Sequence, residues 1–167
     1  MNVIVAVDEK WGIGKNNDLL FRVPEDMKFF RSMTLGKNVI CGKNTLLSFP
    51  GGKPLPDRKH FVLTHSALSA NDQLFTADSL DKLLNLIKDL PEDEVFVIGG
   101  ESVYRQLLPF CKNVFLTKIF QYDPEATVFF PNLDENDDFV LSDPGERLVS
   151  KNGIEYAFQV YTNTKLL

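Results

Sequence analysis

Three features predict an α/β fold on a mostly parallel sheet. Apolar runs of strand length recur along the chain, helical patterns separate them, and the first run is apolar at every position. A strand with one wet face alternates apolar and polar residues. Val3-Ile4-Val5-Ala6-Val7 does not alternate, as a strand covered by helices on both faces requires. Similar runs follow at Asn38-Val39-Ile40-Cys41, Phe61-Val62-Leu63, Val95-Phe96-Val97-Ile98 and Val114-Phe115-Leu116. Helical patterns lie near residues 24–33, 44–49, 79–88 and 101–108. The C-terminal part differs. Phe139-Val140-Leu141 and Tyr156 to Tyr161 read as strands with no helix between them, and Lys151-Asn152-Gly153 offers an Asn-Gly turn. The sheet is therefore expected to end in an antiparallel hairpin. The acidic stretch Asp134 to Asp138 reads as a solvated loop.

The 167 residues fit one domain, taken as 1–167, and suffice to bury a core without disulfides or metal. A hydrophobic fraction of 44% and a charged fraction of 25% exclude disordered and collagen-like classes. The net charge of -5 disfavours a nucleic-acid partner, which a basic field would attract. Cys41 and Cys111 form no CxxC, and Cys41 sits in an apolar run as a buried thiol would. No secretory signal is visible, and no apolar stretch approaches the ~20 residues of a membrane span. A cytoplasmic location and no membrane partner are expected.

Between Asp8 and Val23 the chain has no regular pattern, and Gly12, Gly14, Asn16, Asn17 and Asp18 punctuate it. Long irregular loops in compact domains are often active-site lids, though a plain surface loop has the same composition. The helix that begins at Pro24 carries the most informative residue. At about 100° per residue, Met27, Phe29, Phe30 and Met33 form an apolar face, and Glu25, Lys28, Arg31 and Ser32 form a polar one. Asp26 falls near the middle of the apolar face. A carboxylate there is costly to bury unless paired or protonated, so it reads as a functional acid with a raised pKa. The competing reading is an acid favoured in the first helical turn, which solvent-facing Glu25 already supplies.

Two strand-to-helix junctions carry glycine, Cys41-Gly42-Lys43-Asn44-Thr45 and Ile98-Gly99-Gly100-Glu101-Ser102. Glycine lets backbone approach a ligand, and open α/β sheets bind ligands at strand ends, so a diphosphate ligand is credible. Neither junction is a GxGxxG or P-loop fingerprint. Arg58, after Pro54-Leu55-Pro56-Asp57, is either a fork for an anion or a surface arginine. His60 and His65 share no metal spacing, so no metal is expected, and no nucleophile elbow is present.

Taken in order, these segments resemble dihydrofolate reductase of the bacterial type, over nearly the whole chain. They are Ala6-Val7-Asp8, Gly12-Ile13-Gly14, Val23-Pro24-Glu25-Asp26-Met27, Phe30, Gly42-Lys43-Asn44-Thr45, Pro54-Leu55-Pro56-Asp57-Arg58, Val97-Ile98-Gly99-Gly100, Tyr104 and Leu116-Thr117. The resemblance implies an eight-stranded, mostly parallel sheet, four flanking helices and an antiparallel C-terminal strand. It also implies NADPH-dependent reduction of 7,8-dihydrofolate in one-carbon metabolism, sensitivity to antifolate inhibitors and a monomer.

The resemblance also implies roles. Asp26 would bind the pterin N3 and 2-amino group and favour protonation at N5, with Thr117 hydrogen-bonded to its carboxylate. Phe30 would pack on the pterin, and Met27, Phe49 and Leu55 would line the substrate pocket. Ile4, Val5, Ala6, Ile98 and Tyr104 would complete the pterin side, and Arg58 would clamp the glutamate α-carboxylate. Ala6, Ile13, Gly14, Asn17, Leu19 and Ser48 would hold the nicotinamide end of the cofactor. Gly42, Lys43, Asn44, Thr45, Ile98, Gly99, Gly100, Glu101, Ser102, Val103 and Tyr104 would surround its phosphates. Leu63, Thr64, His65 and Ser66 would approach the adenosine side. The segment from Glu9 to Arg22 would be the lid.

Three positions depart from the family pattern. Leu20-Phe21 stands where Pro-Trp is usual, so Phe21 occupies a catalytic position without an indole N–H to hold a water. Lys43 replaces a common arginine, and Thr127-Val128 stands where Asp-Thr is frequent. Two other readings share some features: a pyrimidine reductase of riboflavin synthesis with the same fold, and a non-catalytic nucleotide- or folate-binding module. Asp26, Phe30 and Arg58 together favour folate over the first. The intact acid and both glycine junctions count against the second.

Overall fold

The computed structural model describes residues 1–68 and 71–167. Strand β1 (Asn2–Val7) is followed by the short strands β2 (Gly12–Lys15) and β3 (Asp18–Leu19) and by helix α1 (Pro24–Thr34). Next come β4 (Asn38–Gly42), α2 (Lys43–Ser48), β5 (Lys59–Leu63), β6 (Leu74–Ala77) and α3 (Leu80–Ile87). β7 (Val95–Gly99), α4 (Glu101–Leu107) and β8 (Asn113–Ile119) return the chain to the centre. The remainder is extended: β9 (Val128–Phe129), β10 (Phe139–Asp143), β11 (Leu148–Val149) and β12 (Glu155–Asn163).

The main sheet runs β10-β12-β8-β1-β7-β4-β5-β6, with β11 paired to β12. The six strands from β8 to β6 are parallel, and β12 lies antiparallel to β8. The α/β class with antiparallel strands at the C-terminal side is therefore as read. The all-apolar runs occupy the centre, where Val3, Val7, Ile40, Val97 and Val114 are fully buried. From β4 the chain steps outward to β6. It then returns at β7, between β1 and β4, and continues on the far side of β1. That reversal leaves a crevice beyond the carboxyl ends of the strands, where such sheets bind ligands.

Four expectations need correction. Residues 8–23 are not patternless: β2 pairs with β3 and β9 in a separate three-stranded sheet. Asn16 and Asn17, at φ 50° and 58°, form the two-residue turn between Lys15 and Asp18. The Lys151-Asn152-Gly153 turn joins β11 to β12, whereas β10 pairs farther along β12 through a longer excursion. The stretch 134–138 is not only solvated, because Tyr161 Oη donates to Asp134 Oδ1 at 2.7 Å and neighbouring Leu133 is buried. Helix α1 buries only Thr34, and Met27 is 48% exposed, so its apolar face lines an open wall instead of the core.

Asp8, buried at the end of β1, ties the small sheet to the large one. Its carboxylate accepts from the N–H groups of Lys10 (2.9 Å), Gly12 (2.8 Å) and Asp123 (3.1 Å). Lys15 adds an ion pair to Asp123 at 2.6 Å, and Gly14 lets β2 approach β3, since a Cβ there would lie 2.9 Å from the Asp18 carbonyl oxygen. Trp11, at φ 65°, buries its ring against Phe130 and Tyr161. Asp8→Ala should cost at least about 2 kcal/mol in a urea melt, because it leaves three donors short of an acceptor. A loss below about 0.5 kcal/mol, the range of an ordinary surface change, would show that Asp8 does not hold these segments together.

Candidate active site

Asp26 enters the site from the first turn of α1. Pro24 suits that turn because a missing N–H costs nothing there. Buried Val23 anchors the helix start against Ile119 and Tyr156, with Ala6, Phe21 and Phe158 packed around them. Phe29 packs against Phe158 with centroids 4.5 Å apart and rings tilted by 31°, which sets the rotation of the helix. In that rotation Asp26 points at strand β8, and Thr117 Oγ1 donates to Asp26 Oδ1 at 2.5 Å. Thr117 is buried and sits beside Ala6 in the parallel register of β1 and β8. Burial raises the Asp26 pKa above its ordinary value, and the Thr117 bond offsets only part of that shift. Glu25 was expected to face solvent. Instead Oε1 is buried without a partner and Oε2 accepts from the Lys151 N–H at 3.0 Å.

Tyr104, fully inside the core on α4, donates its hydroxyl to the Ile4 carbonyl at 2.9 Å. Burial, with the Asp26 charge nearby, pushes its pKa up. Val5 is buried in the core, whereas Ala6, Phe30, Phe49, Leu55 and Ile98 are half-buried. Arg58 is not a surface arginine: it is 5% exposed, its Nε has no hydrogen-bond partner, and it forms no ion pair among the described residues. Burial and the neighbouring Arg31 charge lower its pKa. A buried guanidinium without an anion is costly, and no acidic side chain among the described residues pairs with it.

A cleft of about 850 Å³ opens where β4, β5, β6 and β7 end. It joins Asn17 of the β2–β3 turn to Gly42, Lys43, Asn44 and Thr45, to Leu63, Thr64 and His65, and to Gly100, Glu101, Ser102 and Val103. Gly99 precedes them at φ 133°, a conformation other residues rarely adopt. Lys43 Nζ bonds Ser66 Oγ at 3.1 Å and forms no ion pair among the described residues. Ser48 turns its hydroxyl to the Thr45 carbonyl at 2.6 Å. Ala6, Ile13, Gly14, Leu19, Ser48, Ser66, Ile98, Gly99 and Tyr104 do not line this cleft.

The family described as "Dihydrofolate reductase" matches residues 1–163. The chain belongs to the dihydrofolate reductase family. It is 34% identical to the dihydrofolate reductase of Bacillus subtilis (strain 168) over 161 residues, covering 96% of this chain and 93% of that one. The viral dihydrofolate reductase of Saimiriine herpesvirus 2 (strain 488) is 37% identical over 180 residues, covering 96% of this chain and 84% of the relative. Among solved structures, dihydrofolate reductase from Enterococcus faecalis, complexed with NADP(H) and RAB-propyl, superimposes with a TM-score of 0.84. It is 26% identical, covering 97% of this chain and 95% of that one. The eight strands on the main path and the four α-helices agree with this family.

Asp78, Ser79, Leu80, Gln106 and Val128 also line the cleft and were missed. Ser79 caps α3, accepting from the Lys82 N–H at 3.2 Å, and a serine three residues before Lys82 is the sequence signal of such a helix start.

Asp26→Asn should leave the fold at least as stable as the parent at pH 7. With the folded pKa raised, the folded chain binds more protons than the unfolded one above about pH 3.9. Stability therefore falls as pH rises through that window, and the loss persists at neutral pH. Asparagine removes the charge and still accepts from Thr117. Thermal melts at pH 4 and 7 would measure this, and a variant clearly less stable at pH 7 would contradict it.

Proposed function

We infer that this chain reduces 7,8-dihydrofolate to 5,6,7,8-tetrahydrofolate with NADPH, by hydride transfer to C6 and protonation of N5. The observation that carries the residue-level reading is the Asp26 carboxylate, desolvated in the first turn of α1 and held by the Thr117 hydroxyl. When bound, the cofactor supplies a hydride at nicotinamide C4. The cleft suits a long, phosphate-bearing ligand: it has the Lys43 ammonium, unpaired with any acid among the described residues, hydroxyls at Thr45, Thr64 and Ser102, and backbone without side chains at Gly42 and Gly100. Lys43, Thr64, His65 and Ser66 would favour the additional phosphate of NADPH.

Asp26 presents Oδ2 to the pterin while Thr117 holds Oδ1, so the acid is oriented before the substrate arrives. Its two oxygens suit the N3–H and 2-amino donors of a pterin. Its charge, in apolar surroundings, raises the basicity of the ring and favours a proton at N5. Phe21 is apolar and packs in the cluster at the helix start, so it excludes water and holds none by a side-chain bond. Phe30, Met27, Phe49 and Leu55 supply the apolar wall, and Arg58 meets the tail carboxylate at the far end. The free, buried thiols of Cys41 and Cys111 suit a reducing, cytoplasmic setting.

Asp26→Asn should lower turnover of dihydrofolate at pH 7 by about a hundredfold, the low end for acid–base groups. The deficit should shrink at acid pH, where N5 of the substrate carries its own proton. NADPH oxidation across pH measures this, and near-parental turnover at pH 7 would remove Asp26 from the mechanism.

Arg58→Leu should weaken dihydrofolate by about 1.5–3 kcal/mol, the range of a bond to a charged group. A dihydropterin without the glutamate tail should bind the variant and the parent alike. Equal losses for both ligands would place Arg58 away from the tail.

A further inference from the structure

His60 lies on β5 and is fully buried, with no ion pair to its ring among the described residues. Both ring nitrogens are used by the segment that precedes it. The Leu55 N–H donates to Nε2 at 3.0 Å, and Nδ1 lies 3.2 Å from the Arg58 carbonyl oxygen. A nitrogen that accepts carries no proton, so the ring is neutral, with its hydrogen on Nδ1 and directed at Arg58. Burial also lowers the pKa of His60. The ring meets Phe49 edge-on, with centroids 6.0 Å apart. One imidazole thus touches Phe49, Leu55 and Arg58, three residues assigned above to the substrate pocket.

The segment it holds needs such a brace. Pro56 has no N–H, Asp57 sits at a left-handed φ of 60°, and both are exposed. The other backbone tie within the segment is the Gly36 N–H to the Asp57 carbonyl at 2.9 Å. Without the ring, the Leu55 N–H and the Arg58 carbonyl would lose their partners, and the guanidinium would lose its fixed origin.

We propose that His60 is a positioning residue for the tail end of the substrate pocket, fixing the Leu55–Arg58 segment by hydrogen bonds at both of its ends. This rests on the assignment of Arg58 to the substrate's tail carboxylate. His60 touches no reacting atom, so its effect must appear in binding of the tail and not in the chemical step.

The test compares His60→Leu, His60→Gln and Arg58→Leu, each assayed with dihydrofolate and with a dihydropterin lacking the tail. His60→Leu should raise KM for dihydrofolate about tenfold, with kcat and the constants for the tail-free pterin within about twofold. His60→Gln, whose amide oxygen can accept from Leu55, should recover most of the loss. An unchanged KM for dihydrofolate in folded His60→Leu, or equal losses for both ligands, overturns the proposal while Arg58→Leu keeps its tail-specific loss. If Arg58→Leu shows no tail-specific loss, the pocket assignment fails and takes the proposal with it. In the parent protein, imidazole 15N spectra must show a neutral ring protonated on Nδ1. A ring protonated on Nε2 overturns the proposal even if no variant folds.

Discussion

A carboxylate held by one hydroxyl in apolar surroundings is the constraint on which the site depends. Asp26 and Thr117 meet across the gap between α1 and β8 at 2.5 Å. For them to meet, α1 must begin at Pro24, must turn Asp26 toward β8, and must be anchored by Val23 and by Phe29 against Phe158. The half-exposed Met27 and Phe30 follow from that rotation. Under the proposed function, a helix that buried them fully would fill the space for the substrate's ring. Desolvating this charge costs stability, a trade that the proposed chemistry would explain.

The sheet provides the second half of the site. Its order reverses at β7, so the carboxyl ends of β4 to β7 splay around one crevice. The same edge of β1 ends in Asp8, whose carboxylate holds Gly12 and Asp123 together. The three-stranded sheet is therefore fastened to the strand that borders both Asp26's partner and the cleft. Asn17, at the tip of that small sheet, reaches the cleft wall. Thr127-Val128 preserves a contact with this segment through backbone pairing, since the Thr127 N–H donates to the Gly14 carbonyl at 3.0 Å and Val128 pairs with Gly14.

The sequence made the central strands legible because burial on both faces removes polar residues, as in Val3 to Val7 and Val95 to Ile98. The small sheet was not legible. Gly12 and Gly14 carry no side chain to show alternation, and β3 and β9 span two residues each. The usable signal was Asn16-Asn17, which favours the positive φ values of a tight hairpin. Strand β6 was missed because Leu74 to Ala77 is short and contains no all-apolar run. Within the site, Asp26 stood out because helical periodicity placed an acid among aromatic residues. Periodicity also implied a solvent-facing Glu25 and could not show that the β11–β12 turn folds back to cover it. Burial of Arg58 and the double use of His60 were invisible, since both depend on contacts that only the folded loop creates.

The desolvation of Asp26 can be read directly on the carboxyl itself. With 13C label in aspartate, the Asp26 carboxyl resonance can be followed through an acid titration of the folded protein and of Thr117→Val. The account predicts a midpoint above the ~3.9 of a free aspartate, and a higher midpoint in Thr117→Val, where the bond that favours the ionised form is gone. A midpoint at or below the free value in the parent protein would show that the carboxylate is stabilised where it lies, and would contradict the account.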